Sequence, residues 1–433
     1  MRISSNTIFD ASVSAMQQQS AKLLQAQQQI STGRRILTPA DDPIGAAQAL
    51  QVTQAQTMNA QYSTNAGSAS DSLTLEESIL GSITSLLQDV RTLSVNAGNG
   101  ALNRSDRAIL ATDLSGRYQQ LLGLANTVDG NGQYLFSGYQ GGVRPFAVLA
   151  DGSIKYNGDQ GQRLIQISAS EQMAVSDAGD DVLGSIPNGN GTFVVAAGVP
   201  AKGLTPAVPN IGSAVMDAGT VLDASKWNSV ANSKDLTVKF SVAGGVTYYD
   251  IIDNSTGAGG TSLLTDDAPP LARGPLTYSS GSSIDLSGSG PTPFNFGAQL
   301  KVTGQPADGD SFSVKGSTHQ DVFKTINNLV QLLQTSSGGA GLANGLIAAQ
   351  TNIDNALDNV INVRTSAGSR LKELDAVQNA GEDRALQYSQ TLSRLQDVDY
   401  AKAAAELAQQ QVSLQAAQQS YVKVAGLSLF NYL

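Results

Sequence analysis

The sequence predicts a nested α+β fold, in which an α-helical coiled-coil and bundle rod grows from both chain ends toward a central, mainly β insertion. Three observations predict it. Apolar residues recur every seven positions at each end of the 433-residue chain, as Phe9, Met16, Leu23 and Ile30 near the start and as Tyr400, Leu407, Leu414 and Tyr421 near the finish. From Ile353 to Leu395 a stripe advances alternately by four and three residues without a gap. Between the helical regions, residues from about Asp129 to Thr318 turn to Gly, Ser, Thr and Pro with short β-rich runs. A heptad stripe has to be covered by a partner helix, so the two ends are built to be buried by each other and by further copies.

The first helix is expected from about Ser5 to Ser31, with Gly33 as its stop. The string from Gly33 to Pro43 reads as an ordered connector, and Asp42 before Pro43 is an N-cap and first-turn pair that starts a second helix. That helix continues to about Ala97. Leu73, Leu80 and Leu87 lie on one stripe and Ile79, Leu86 and Leu93 on the next, a face wide enough for a bundle. After the break at 96–100, Leu110, Leu114, Leu121, Leu124 and Val128 predict a third helix folding back on the second.

Helix is predicted again from His319, with a break at Gly338-Gly339. At 1.5 Å per residue, Asn344 to Gln396 spans roughly 80 Å, the length of a rod. The apolar set then restarts one position out of phase at Tyr400, Ala403 and Leu407. A continuous coil cannot absorb that slip, so Asp397-Val398-Asp399 marks a joint that mirrors the 33–43 connector.

In the middle, Asp129-Gly130-Asn131-Gly132 is a turn, and Tyr134–Phe136, Leu164–Ile167, Leu236–Val242, Val246–Ile252 and Phe312–Val314 read as strands. The resulting division places a terminal coiled-coil module at 1–32 with 400–433 and connectors at 33–43 and 397–399. A helical rod takes 44–135 with 319–396, a small β region of the rod 136–185, and an outer β insertion 186–318.

Composition narrows the function. Only 14% of residues are charged and 5% aromatic, and the formal charge is −10, with no basic cluster of the kind that phosphate backbones require. Nucleic acid is therefore not an expected partner. The chain has no cysteine, which removes disulfides, thiolate metal sites and thiol nucleophiles. No apolar run at the start reaches the length of a secretory core and none elsewhere reaches a membrane span, so no cleaved signal and no membrane insertion are expected.

No catalytic, cofactor or metal site is expected. The lone His319 lacks a nucleophile-elbow string and belongs on the surface. The acidic turns at 129–132, 180–181, 266–267 and 308–310 lack the spaced ligands and closing Glu of a calcium loop, and turn formation accounts for them. The candidate site is an assembly interface made by the two heptads, by Arg34, Arg35, Asp41 and Asp42 in the connector, and by Leu427 and Phe430 at the end. For the four connector charges, helix-end capping competes with a role between subunits. Gln17–Gln19, Gln27–Gln29 and Gln409–Gln411 read either as a neutral solvated face or as an unreactive lining for a tube.

Several strings carry a family resemblance. They are Met1-Arg2-Ile3-Ser4, Ser31 to Arg35 with Asp41 to Ile44, Leu75-Glu76-Glu77-Ser78, Ala97 to Gly100, Asp106-Arg107 to Asp113-Leu114, and Leu124-Ala125-Asn126 with the 129–132 turn. Phe136 to Tyr139, Asp397 to Ala401 and Gly426 to Phe430 complete the set. Together they cover roughly residues 1–180 and 324–433, and they resemble the flagellin superfamily, most closely its members at the hook–filament junction; 186–315 carries no recognised motif.

The resemblance implies a structural protein of the bacterial flagellum that needs no cofactor and performs no catalysis. It would leave the cell by the flagellar type III route with a cytoplasmic export chaperone. Its partners would be copies of itself, another hook-associated protein on the hook side and flagellin-side subunits, with the terminal helices in an inner tube. A flagellin filament subunit, or another secreted coiled-coil surface protein, is the alternative. Because a lone amphipathic helix buries too little surface to offset its ordering entropy, the terminal segments are expected to order only on docking.

Overall fold

The computed structural model describes residues 5–150, 152–198, 209–230, 232–256, 260–264, 275–288 and 293–426. Three helices come first: α1 (Ser5–Thr32), α2 (Pro43–Ala97) and α3 (Arg104–Ala125). Short hairpins follow, β1 (Phe146–Val148) with β2 (Ile154–Tyr156) and β3 (Leu164–Gln166) with β4 (Gln172–Ala174), and then one π-helical turn at Asp180–Gly184. The insertion contains β5 (Ile186–Pro187), β6 (Phe193–Ala197), β7 (Val215–Met216), β8 (Thr220–Val221), the short helix α4 (Ala224–Trp227), β9 (Asp235–Ala243) and β10 (Val246–Asp253). It continues through β11 (Thr261–Ser262), β12 (Leu276–Thr277), β13 (Ser283–Gly288), β14 (Phe294–Thr303), β15 (Ser311–Gly316) and β16 (His319–Gln320). The chain returns through α5 (Val322–Thr335), α6 (Gly339–Gln396) and α7 (Tyr400–Gly426).

These elements form two compact units. One holds the chain up to Gly67, Gln166–Glu171 and everything from Leu374; the other holds Ser68–Ile165 and Gln172–Glu373. Both long helices run through each unit. In the first, Asn59 of α2 is buried and donates to the Gly381 carbonyl of α6 at 2.8 Å.

The second unit has two apolar cores. The helical core joins Leu80 and Leu87 of α2, Leu114 and Leu121 of α3, Phe323 and Ile326 of α5, and Ile353 and Val360 of α6. Each such burial contributes about 1.5–3 kcal/mol relative to exposure. The β core is a sandwich of a six-stranded sheet, β11-β10-β9-β15-β6 with β12 beside β10, against a four-stranded sheet of β13, β14, β7 and β8. Alternation places Leu236, Val238 and Phe240 of β9 opposite Ala298, Leu300 and Val302 of β14 in one cluster. Gly244 and Gly245 join β9 to β10 with φ of +59° and +80°, the paired positive values a two-residue hairpin needs.

Asparagines of α6 fasten the insertion, and the π-helical turn just ahead of it, to the rod through main-chain atoms alone. Asn344 accepts from Met216 N and donates to Ala214 O, Asn352 accepts from Gly189 N, Asn355 donates to Pro187 O and Gly189 O, and Asn359 donates to Asp181 O and Val182 O.

Three local expectations are corrected. Tyr134–Phe136 is not a strand: Tyr134 makes one bridge with Val128, while Leu135 and Phe136 are fully buried within turns. The third helix stops at Ala125, short of Val128, because Asn126 spends its amide on Leu122 O and on both main-chain groups of Phe146. His319 does not open a helix. It pairs with Pro187 in β16, and α5 starts at Val322, where Asp321 caps the Lys324 N–H at 2.6 Å.

Candidate assembly interface

Helices α1 and α7 pack against each other with early residues of one beside late residues of the other, so the pair is antiparallel. The rings of Phe9 and Tyr421 lie 5.4 Å apart, Gln19 bonds Gln410, and Arg34 bridges Asp397. That register is the register of the two heptads. Stepping seven residues inward from Phe9 and Tyr421 sets Met16 level with Leu414, Leu23 with Leu407 and Ile30 with Tyr400. Met16, Leu23, Ile30, Leu407, Leu414 and Tyr421 are half-buried, and the positions closed off most completely are small, Ala26 and Ala403.

One partner cannot cover a helix. Phe9 is 49% exposed, Leu24 58%, Val412 66% and Val422 67%. The pair therefore offers apolar surface that neither helix satisfies, whereas Gln17, Gln18, Gln27, Gln28, Gln409 and Gln411 are exposed and neutral. Leu427 and Phe430 lie outside the described residues. Tyr400 departs from the seam: it is 59% exposed, and its hydroxyl sits 3.0 Å from where a Cβ on Gly33 would stand. Gly33 has φ of +68°, so both the backbone and the tyrosine favour glycine there.

The two connectors are stitched together. Arg35 N donates to Gln396 O at 2.6 Å and Val398 N donates to Gly33 O at 2.9 Å. The Arg35 guanidinium reaches Leu395 O at 2.8 Å and the Asp42 carboxylate at 3.2 Å. Arg34 contributes its backbone to the bridge with Asp397. Asp42 also accepts the Gly45 N–H at 2.9 Å, capping α2, and Asp399 does the same for α7 through Ala401 N and Lys402 N.

Asp41 folds the connector on itself. Its Oδ2 accepts from Leu37 N at 3.0 Å and Thr38 N at 2.7 Å, and its Oδ1 takes the Gln25 amide at 2.7 Å. The Thr38 amide, foremost, holds the Asp41 carboxyl below its ordinary value. The Gly45 amide, and then Arg35, do so for Asp42. These carboxylates are acceptors that fix angles within one chain. Among the described residues, no three His, Asp or Glu side chains are grouped to hold a metal ion, and no helix is long and apolar enough to cross a membrane. His319 is exposed. Asp310 of the 308–310 turn accepts Ile211 N, Gly212 N and Ala307 N, while Asp266 and Asp267 lie outside the described residues.

The sequence did not disclose the Gln19–Gln410 bond or the cap at Asp399. The first has no signal, since Gln is abundant in both helices. The second had one, an Asp directly before the restarted heptad.

The model of the bacterial flagellin N-terminal helical region matches residues 3–141. The whole chain is similar to flagellar hook-associated protein 3 of Escherichia coli (strain K12), 27% identical over 430 residues, 99% of each chain. A crystal structure of flagellar hook associated protein-3 from Legionella pneumophila superposes with a TM-score of 0.69 at 27% identity, covering 80% of this chain and 98% of that one. Similarity to the flagellin of Listeria monocytogenes, 27% identical, is confined to 131 residues, 30% of this chain and 46% of the flagellin.

Proposed function

We propose that this chain, similar from end to end to flagellar hook-associated protein 3 and carrying a flagellin-type N-terminal region, is a structural subunit of the bacterial flagellum that forms the junction between hook and filament and templates flagellin assembly. The observation that carries the mechanism is the antiparallel terminal pair, whose register fixes α1 against α7 while apolar residues on the outer faces stay uncovered. Neighbouring copies supply the missing cover, which makes docking and burial one event. The stitched connectors hold the start of α2 against the end of α6 where the terminal pair ends.

In this reading the chain is exported through the flagellar type III route, aided by a cytoplasmic chaperone, and stands outside the cell between another hook-associated protein and the first flagellin subunits. It has no catalytic role. The match along nearly the full length of hook-associated protein 3, against matches to only about half of the flagellins, favours the junction over the filament.

Deletion of the gene tests it. Cells with intact hooks, no filaments and flagellin released to the medium are the expected result; normal filaments overturn it. Growth of long filaments from the purified chain alone would instead support the flagellin reading.

A further inference from the structure

A buried carboxyl sits where α2, α6 and the segment after β4 meet within one compact unit. Glu76 of α2 is 0% exposed. Its Oε1 accepts the backbone N–H of Asp177 at 2.9 Å, and its Oε2 is buried with no hydrogen-bond partner. The Asp177 carboxylate is already committed, held by both terminal nitrogens of Arg370 at 3.0 and 2.9 Å. Arg163, just ahead of β3, donates from Nη1 to Gln133 Oε1 at 2.7 Å and stands 3.6 Å from Asp129. Its Nε and Nη2 are buried without partners. One neighbourhood thus holds an acceptor with nothing to accept and two donors with nothing to donate to, an arrangement native interiors rarely tolerate.

The charges that face Glu76 explain the mismatch. From the segment after β4 comes Asp177, a like charge; from α6 comes Arg370, engaged by Asp177; from the β3 side comes Arg163, engaged by Asp129 and Gln133. Glu77, next on α2, is taken by Arg364 at 2.6 Å. An ionised Glu76 would find no uncommitted cation, whereas a neutral one needs none. Burial, and then the Asp177 charge, push the Glu76 carboxyl up to about 7, against the opposing pull of the Asp177 amide, Arg370 and Arg163.

We propose that Glu76 is a proton-operated latch in the rod: neutral Glu76 holds the arrangement described, and loss of its proton to solvent draws the Arg163 guanidinium off Gln133 and Asp129 and onto the Glu76 carboxylate. The consequence is local. The 129–133 turn, which Arg163 braces from outside, loosens while the Asp177–Arg370 pair keeps α6 attached. The rod thereby carries a conformational response to mildly acidic against mildly alkaline surroundings, independent of what the terminal helices bind.

The chain has six glutamates, so carbon-13 labelling of their side-chain carboxyls gives six signals to follow with pH in the full-length protein. The expected result is one signal, missing from Glu76→Gln, that stands apart from the rest with its midpoint at about 7. Hydrogen exchange, corrected for its intrinsic pH dependence, should speed up in the 127–135 segment between pH 6 and 8.5 in the wild type and not in Glu76→Gln. If Glu76→Gln does not fold, Arg163→Gln serves, since removing that cation should move the outlying midpoint upward. Titration of all six together overturns the proposal. So does identical exchange of the 127–135 segment in wild type and Glu76→Gln, or an outlying midpoint that ignores Arg163.

Discussion

The guanidinium of Arg35 donates to the main-chain carbonyl of Leu395 at 2.8 Å, across 360 residues of sequence. Leu395 lies in the last turn of α6, where carbonyls lack helical partners and a cation is favoured. The same guanidinium holds Asp42, the cap of α2, so one side chain closes off a helix end on each strand of the joint. Arg35→Lys keeps the charge but not the fork that reaches two acceptors at once. Both Arg35→Ala and Arg35→Lys should therefore open the connectors roughly five- to tenfold more often, read as protease cleavage within 33–43 and 397–399, with unchanged helix content by circular dichroism.

Acid should open that joint from a different side. A carboxyl held low in the folded chain contributes stability above its unfolded value, and that contribution is lost as pH falls through the folded one. For Asp41 and Asp42 the unfolded value is near 3.8, so the connectors should stay closed from pH 8 to about 4 and loosen only below. Glu76 has the opposite sign. Its folded value is raised from 4.5 to about 7, so its contribution is complete below 4.5 and declines as pH rises toward 7, amounting to about 3 kcal/mol. Protease cleavage at 33–43 and hydrogen exchange at 127–135, followed on one pH series, should respond at opposite ends of it.

How much of this was legible depended on how far each residue's partner lies along the chain. Gly33 as a helix stop and Asp42-Pro43 as a helix start act on neighbours a few residues away, and the heptads encode their own register and the slip at 397–399, so the breaks that frame the terminal pair could be read directly. Asn344, Asn352, Asn355 and Asn359 bond main-chain atoms more than a hundred residues distant, and an asparagine on a helix does not announce that. Glu76 is similar. Nothing in the Leu75-Glu76-Glu77-Ser78 string marks it, and only the fold brings Asp177 and Arg370 to it. Tyr134–Phe136 misled because the residues that favour strands are also those a core takes from a turn.

The β sandwich should melt apart from the helical core. Trp227 is the only tryptophan, 2% exposed and 4.9 Å from Phe193 at the centre of the sandwich, so its fluorescence reports that core alone. Phe312, fully buried against Phe240, lies in the same cluster. Phe312→Ala should cost about 3–5 kcal/mol of sandwich stability. The tryptophan signal should shift to lower urea while the far-ultraviolet helix signal keeps its midpoint; a common shift of both would mean the two cores unfold as one.

In the isolated chain, α1 and α7 can shield only each other. Two helices of 28 and 27 residues with half-buried seams give little cooperative protection. Amide exchange in 5–32 and 400–426 should therefore be fast in the purified protein, and should slow by orders of magnitude when it is assembled on hooks. Strong protection before assembly would mean that the pair is already a finished unit.

Val412 tests what the uncovered face is for. At 66% exposure in α7 it touches little within the chain, so Val412→Asp should change monomer stability by no more than about 0.5 kcal/mol. Inside a bundle of neighbouring helices the same carboxylate would be stripped of water without a partner, a cost that assembly cannot absorb. A strain lacking the gene and supplied with Val412→Asp should make and export the protein yet remain non-swimming, with bare hooks under the electron microscope. Val412→Ile, apolar and larger by one methylene, should swim. If the aspartate variant restores filaments as well as the wild type does, the face that carries Val412 is not the one that neighbouring subunits cover.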